Sequence, residues 1–225
     1  MDEKKRDYAL LLLFMLVSFV TMTVMNKMYP PHGIEINWRS ALGGWTVVGW
    51  YFFLYRVASH SYTSKWVRIS YAAFLVFQFI LTVLVNMGDF FATPGHVIVA
   101  TVCYGTNLVG FGIVFYTVLK DVFTESHDLT HSLLGATNIY FLIALIFSYI
   151  FGLVAIHDPA LTNETVDLRD LLIRCFDYGW YVLAGIDYPG ESLGLVIQSI
   201  SVYEAISANL FIVFIIGRLM SKKDL

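Results

Sequence analysis

Charge is scarce in this chain. Lys, Arg, Asp and Glu make up 14% of its 225 residues, hydrophobic residues make up 58%, and mean hydropathy is +0.69. A soluble domain carries about 25% charged residues, so this composition excludes an ordinary soluble globule and points to a membrane protein. Cysteine is almost absent. Cys103 and Cys175 stand far apart in sequence, with Cys103 in the middle of an apolar run, so no disulfide is expected. The chain has no phosphate loop, no nucleophile elbow and no carboxylate–histidine cluster. No enzymatic activity, cofactor or nucleic-acid partner is therefore expected. No apolar run carries a central lysine, which sets aside a retinal Schiff base. No likeness relates residues 1–119 to 132–220, whereas a transporter would want related halves. Low-complexity segments and a soluble sensor domain are also missing.

Long apolar runs dominate what is present. A spanning helix needs roughly 20 mainly apolar residues. Six runs are candidates, at 9–25, 41–55, 69–88, 95–119, 132–156 and 192–217. The second is the shortest, and it reaches Ala58 if Arg56 snorkels toward the headgroups. The first follows a charged head, as a signal peptide would. Asn26-Lys27-Met28-Tyr29-Pro30 offers no small-residue cleavage site, so a retained helix is expected. With the N-terminus in the cytoplasm, the inner segments hold Lys4, Lys5, Arg6, Arg56, Lys65, Arg68, Lys120, Arg218, Lys222 and Lys223. The outer side holds Lys27, Arg39, Arg169 and Arg174. The positive-inside rule favours this arrangement. It requires an even number of spans, with both termini cytoplasmic, in a multi-pass protein of the plasma membrane.

Residues 132–220 carry the functional signal. A full span at 132–156 is followed by a polar, acidic stretch at 159–174 and an apolar segment at 176–186 that is too short to cross a bilayer. Next comes the turn-forming cluster Asp187-Tyr188-Pro189-Gly190-Glu191, and then the span 192–217. Irregular backbone survives at membrane depth only where protein or a water-filled cavity surrounds it. Two spans enclosing a half-span therefore point to a re-entrant pore loop. The expected fold is an all-α integral membrane protein with six transmembrane helices, and a re-entrant pore helix and loop between the fifth and sixth. Its organisation is a four-helix region at 1–125 and a pore domain at 126–225.

The outer face of this unit is acidic. Seven carboxylates, Asp158, Glu164, Asp167, Asp170, Asp177, Asp187 and Glu191, face only Arg169 and Arg174. A cleft of one charge sign concentrates counter-ions, and carboxylate rings are a device of cation channels. Asp158 to Asp170 read as a solvated loop; Asp187 and Glu191, beside the shortest turn, read as the candidate cation site.

The pattern of spans and two local runs resemble the pore unit of small bacterial six-span ion channels of the potassium-channel (pore-loop) superfamily. Leu134-Gly135-Ala136…Tyr140-Phe141-Leu142 is similar to the run that opens that family's penultimate span. Glu204-Ala205-Ile206-Ser207-Ala208-Asn209-Leu210-Phe211…Ile216-Gly217-Arg218-Leu219 follows its Glu-Ala-x-x-Gly-Gln-Leu-Tyr…Ile-Ala-Arg-Leu. The aromatic segment 176–183, with Tyr178, Trp180 and Tyr181, resembles its pore helix. The likeness covers roughly the last 90 residues. It implies a homotetramer that conducts cations (Na⁺, K⁺ or Ca²⁺) and is surrounded by lipid.

The filter departs from that family. Where its members carry Thr-Thr-Val-Gly-Tyr-Gly-Asp, this chain reads Ala184-Gly185-Ile186-Asp187-Tyr188-Pro189-Gly190, with Glu191 following. A potassium filter needs a column of inward carbonyls, and glycine permits the positive φ that such alternation requires. Asp187 pays a penalty there, and Pro189 is locked near φ −65°. The expectation is an acidic, hydrated, weakly selective cation site. The alternative is a non-conducting, channel-like scaffold or accessory subunit.

Inside the last span, Glu204 is the one ionisable residue well within the membrane. Two readings stay open: a cation site on the cavity side, or a residue packed behind the pore helix. Ser201, Glu204 and Ser207 fall near one helical face, with Asn209 beyond, and Ala208 takes the place of the family's hinge glycine. The segment 95–119 contains no Arg or Lys, so a voltage sensor's arginine ladder is absent. Gln78, Asn86, Thr101, Asn107 and Asn138 are expected to bond between helices. Gly105, Gly110 and Gly112 are expected at close helix contacts. Trp38, Trp45, Trp66 and Trp180 are expected as interfacial anchors. His127 and His131, four apart beside Asp128, have metal-ligand spacing, but such a pair ordinarily sits on a solvated surface, so no metal site is expected.

Overall fold

The structure is a computed structural model that describes residues 3–28, 37–59, 62, 64–87, 96–124, 129–158, 161, 168–188 and 193–221. Among these, every regular element is an α-helix. In chain order they are α1 (Glu3–Met28), α2 (Asn37–Ser59), α3 (Lys65–Met87), α4 (His96–Thr124), α5 (Leu129–His157), α6 (Leu168–Ala184) and α7 (Leu195–Ser221). None of the described helices contains a proline in its sequence, as expected of a residue that removes a backbone donor and clashes with the preceding turn. Val97–Phe123, Leu129–His157 and Leu195–Gly217 are each long and apolar enough to cross a membrane. The chain is an all-helical membrane protein.

α5 is the hub. It packs on α1, α4, α6 and α7, while α2 bridges α1, α3 and α4. One cluster of buried side chains joins the four leading helices to α5 through Leu11, Met15, Leu54, Val114, Val118 and Leu142. A second lies toward the C-terminal end of α5, where Phe151, Ala155 and Ile156 meet Leu171, Leu172 and Cys175 of α6 and Ile197 of α7. The four-helix region thus rests on the α5 of its own chain.

Gln78, Thr101, Asn107 and Asn138 bond between helices as expected; the side chain of Asn86 lies outside the described residues. Tyr51 donates to Asn107 Oδ1 at 2.6 Å and pairs with Thr82 Oγ1 at 2.8 Å, joining α2, α3 and α4. Gln78 donates to the Thr106 carbonyl, and Asn138 donates to the Tyr8 carbonyl at 3.0 Å. Thr101 lies 3.1 Å from His157 Nε2. The glycines behave differently from one another. A Cβ at Gly110 would meet Gln78 Oε1 at 2.7 Å, whereas Gly105 and Gly112 have nothing within 4 Å and make no close contact. Of the tryptophans, Trp66 is exposed and suits an interface, but Trp180 is buried between Phe141 and Phe176 rather than anchored at one.

Candidate functional site

The segment expected as a half-span at 176–186 is part of a longer helix. α6 begins at Leu168, inside the stretch read as polar and acidic. The reason is amphipathic spacing. Leu171, Leu172, Cys175 and Gly179 fall at i, i+1, i+4 and i+8, and all four are buried, so one face packs while Asp177 and Arg174 turn outward. At 17 residues α6 is about 25 Å long, too short to span.

α6 lies antiparallel along α5 in a constant register. A Cβ at Gly152 would sit 3.3 Å from Leu172, Ser148 Oγ donates to the Phe176 carbonyl at 3.2 Å, and Tyr140 donates to the Leu183 carbonyl at 2.8 Å. Each step up α6 is matched by a step down α5. Gly179 makes this closeness possible, since a Cβ there would fall 2.3 Å from Ser148 Oγ and 3.1 Å from the Ala144 carbonyl.

α7 runs in the same direction as α6. Near its start, Leu193 and Ile197 are buried among Leu171, Leu172, Phe151 and Ile156. Further along, Tyr178 donates to Ser201 Oγ at 3.1 Å, and deeper still Ala208 shares a cluster with Trp180 and Leu183. A Cβ at Gly194 would lie 3.7 Å from Asp158 Oδ2, at the C-terminal end of α5. Ala184 and Gly194 therefore lie at opposite ends of α6, although only ten residues separate them in sequence.

The end of α6 is a closed helix cap. Gly185 has φ 66°, its N–H donates to the Val182 carbonyl at 3.0 Å, and the Ile186 N–H donates to the Tyr181 carbonyl at 3.0 Å. This double bond pattern around a left-handed glycine terminates helices and satisfies their orphan carbonyls. Ala184, Gly185, Ile186 and Asp187 are exposed on the protomer. Tyr188 is half-buried, its ring 5.4 Å from both Tyr178 and Tyr181 at steep angles. Pro189, Gly190 and Glu191 lie outside the described residues, as do His127 and Asp128.

The inner-helix candidates divide between two faces. Ile197, Ser201, Glu204 and Ala208 are buried, while Ser207 and Asn209 are exposed. At 100° per residue Ser207 falls about 90° from the centre of the buried stripe, so it does not share a face with Ser201 and Glu204. Glu204 is fully buried, and neither carboxyl oxygen has a hydrogen-bond partner among the described residues.

One group of polar residues, of which only His131 was singled out from sequence, gathers around Asp121. Asp121, at the C-terminal end of α4, accepts from Lys4 Nζ at 3.0 Å and from the Tyr8 hydroxyl at 2.6 Å, and lies 2.8 Å from His131 Nε2. Beside it Arg56 holds Asp7 through two contacts, at 2.9 and 3.0 Å. His131 is fully buried rather than solvated, stacked 5.0 Å from Tyr8. The legible signal was Asp7 directly after the basic run Lys4-Lys5-Arg6, matched by Asp121 just past the fourth apolar run. Such charges at helix ends pay for burial only by pairing. Among the described residues no group of three His, Cys, Asp or Glu could hold a metal ion, and Cys103 and Cys175 are both free and buried.

No protein-family model, no curated protein and no solved structure matches this chain.

Proposed function

We propose that this chain is one quarter of a homotetrameric cation channel. Six helices cross the plasma membrane, both termini are cytoplasmic, and α6 with the residues after it forms a re-entrant pore segment. The observation that carries this reading is the parallel course of α6 and α7 along α5. The chain leaves the outer end of α5, runs inward as α6 to the level of Tyr140, and is back beside Asp158 by Gly194. A segment that enters and leaves by the same side lines a path rather than crossing, and its non-helical backbone at depth needs protein or water around it. One such segment cannot enclose an ion. Four copies around an axis can, with the exposed Asp187 repeated at each. α7 suits this arrangement, since only 17% of its span is buried in the protomer, against 56% for α5. The rest is left for neighbouring copies and lipid.

Weak selectivity follows from the same residues. Gly185 is used as a helix cap, and Asp187 and Pro189 stand where a carbonyl column would want glycine. Carboxylates at Asp187 and Glu191 would hold hydrated Na⁺, K⁺ or Ca²⁺ by charge. These same departures favour the second reading, a channel-like subunit that assembles but does not conduct. Two measurements separate the readings. A detergent-corrected mass should give a tetramer, and a monomer overturns both the central pore and the carboxylate ring. Given a conducting tetramer, Asp187→Asn should lower unitary current at low salt and weaken divalent block. Unchanged current and block would return Asp187 to an ordinary surface loop.

A further inference from the structure

Asn209 is an exposed amide at the middle of a membrane span. It stands three residues past Ile206, the midpoint of Leu195–Gly217, or about 4.5 Å along the axis. Asn107 and Asn138 show what buried amides do in this bundle. Each donates to the carbonyl four residues back, and each also bonds a neighbouring helix. Asn209 has no hydrogen-bond partner among the described residues. Lipid offers an amide no hydrogen bond, so a polar side chain at this depth faces protein or water. The residues around it set the direction. Ser199, Val202, Ile206, Asn209, Val213 and Ile216 are all exposed, and at 100° per residue they fall within an arc of about 100°. Their steps of three and four make the 3.5-residue repeat of a seam between packed helices. The centre of this stripe lies about 140° from that of the buried stripe Ile197–Ser201–Glu204–Ala208. Four of its six residues are β-branched and therefore stiff at χ1. The third face of α7 differs: apart from Ser207 it presents Tyr203, Leu210 and Phe214, bulky apolar side chains that suit lipid. Ala208 shares a cluster with Leu183, in the last turn of α6, so from Asn209 onward α7 runs beyond the end of α6.

We infer that the stripe over Ile206, Asn209, Val213 and Ile216 is the surface by which α7 meets α7 of another copy of this chain, with Asn209 bonding Asn209 across the seam. An amide carries both donors and an acceptor, so an identical amide complements it. Rotational symmetry brings identical residues to one level around an axis. A single amide in an apolar seam also fixes register, because a slip by one turn would strand it against Val213 or Ile206. The inference rests on the self-assembly proposed above, and not on conduction. Within that assembly it assigns two faces of α7: the β-branched stripe to other copies, and Tyr203, Leu210 and Phe214 to lipid.

The experiment uses the full chain in membrane vesicles. Cysteine replaces one α7 residue at a time, with Cys103 and Cys175 kept, since both are buried. Mild oxidation should join copies through Ile206→Cys, Asn209→Cys, Val213→Cys and Ile216→Cys, and should fail to join them through Tyr203→Cys, Leu210→Cys and Phe214→Cys. In detergent, Asn209→Leu should weaken self-association by roughly 3- to 30-fold per interhelical bond lost, and Asn209→Gln, which keeps the amide, should weaken it less. If Asn209→Leu does not fold, the cysteine scan decides alone. Joining that peaks at Tyr203, Leu210 and Phe214, or that follows no period, puts lipid or water on the stripe and overturns the inference. So does an Asn209→Leu protein that assembles as tightly as the wild type. A wild type that is monomeric by detergent-corrected mass overturns the assembly reading along with the seam, whereas a tetramer joined through other faces overturns the seam alone.

Discussion

Gly179→Ala is the sharpest perturbation of the contact that holds α6 on α5. The added methyl would sit 2.3 Å from Ser148 Oγ and 3.1 Å from the Ala144 carbonyl. Ser148 can turn away only by giving up its bonds to the Ala144 and Phe176 carbonyls, at 2.8 and 3.2 Å. The Ala144 carbonyl belongs to the α5 backbone and cannot turn at all. Overpacking of this kind costs about 1–3 kcal/mol, and one lost hydrogen bond adds about 1 kcal/mol. Alanine's better helix propensity returns about 1 kcal/mol. The net is a loss of roughly 1–3 kcal/mol. Gly112→Ala is the matched control, since nothing lies within 4 Å of its Cβ position. Only the propensity gain of up to about 1 kcal/mol applies there. The two substitutions are chemically identical and should move stability in opposite directions. Unfolding in mixed micelles at increasing denaturing detergent would report both. Gly179→Ala as stable as Gly112→Ala would refute the register of α6 on α5, and with it the geometry on which the pore reading depends.

Three further outcomes are expected. Tyr140→Phe removes a side-chain bond to the Leu183 carbonyl in the last turn of α6; the part-buried acceptor left behind should cost about 1 kcal/mol in the same assay, and no loss would mean water replaces the phenol. Gly185→Ala forces a side chain into φ 66° and should cost about 1–2 kcal/mol, while Gly185→Asn recovers most of it because Asn tolerates this cap position; equal stability of all three proteins would deny the cap. Asp121→Asn removes the charge that Lys4, Tyr8 and His131 share and should destabilise the chain by about 1–3 kcal/mol, which thermal unfolding would measure; no change would make the pair ornamental, as exposed pairs are.

What was legible in the sequence follows from which forces act locally. Runs of apolar residues free of proline mark out the helices because both signals are local, and no described helix contains a proline. The short helix was foreseen, but its first two turns were not. Asp170 and Arg174 made 168–174 look like loop, whereas burial of Leu171, Leu172 and Cys175 against Phe151 and Ala155 outweighs them. That contact is made across the chain and leaves no mark on local composition. His131 was misjudged for the same reason. Beside His127 and Asp128 it looks solvated, and only the approach of Tyr8 from α1 and Asp121 from α4 buries it. Glu204 was visible as an oddity, but helical periodicity alone could not choose between its two faces. Ser201, which accepts a hydrogen bond from Tyr178, whose ring meets that of Tyr188, lies on the buried stripe of α7 with Glu204.

Planar-bilayer recording from protein shown to be tetrameric tests the central claim most directly. With a salt gradient across the bilayer, the account predicts a current that reverses near the cation equilibrium potential, discriminates weakly between K⁺ and Na⁺ under bi-ionic conditions, and falls in Asp187→Asn. A reversal near the anion potential, or no current in any salt, would contradict it.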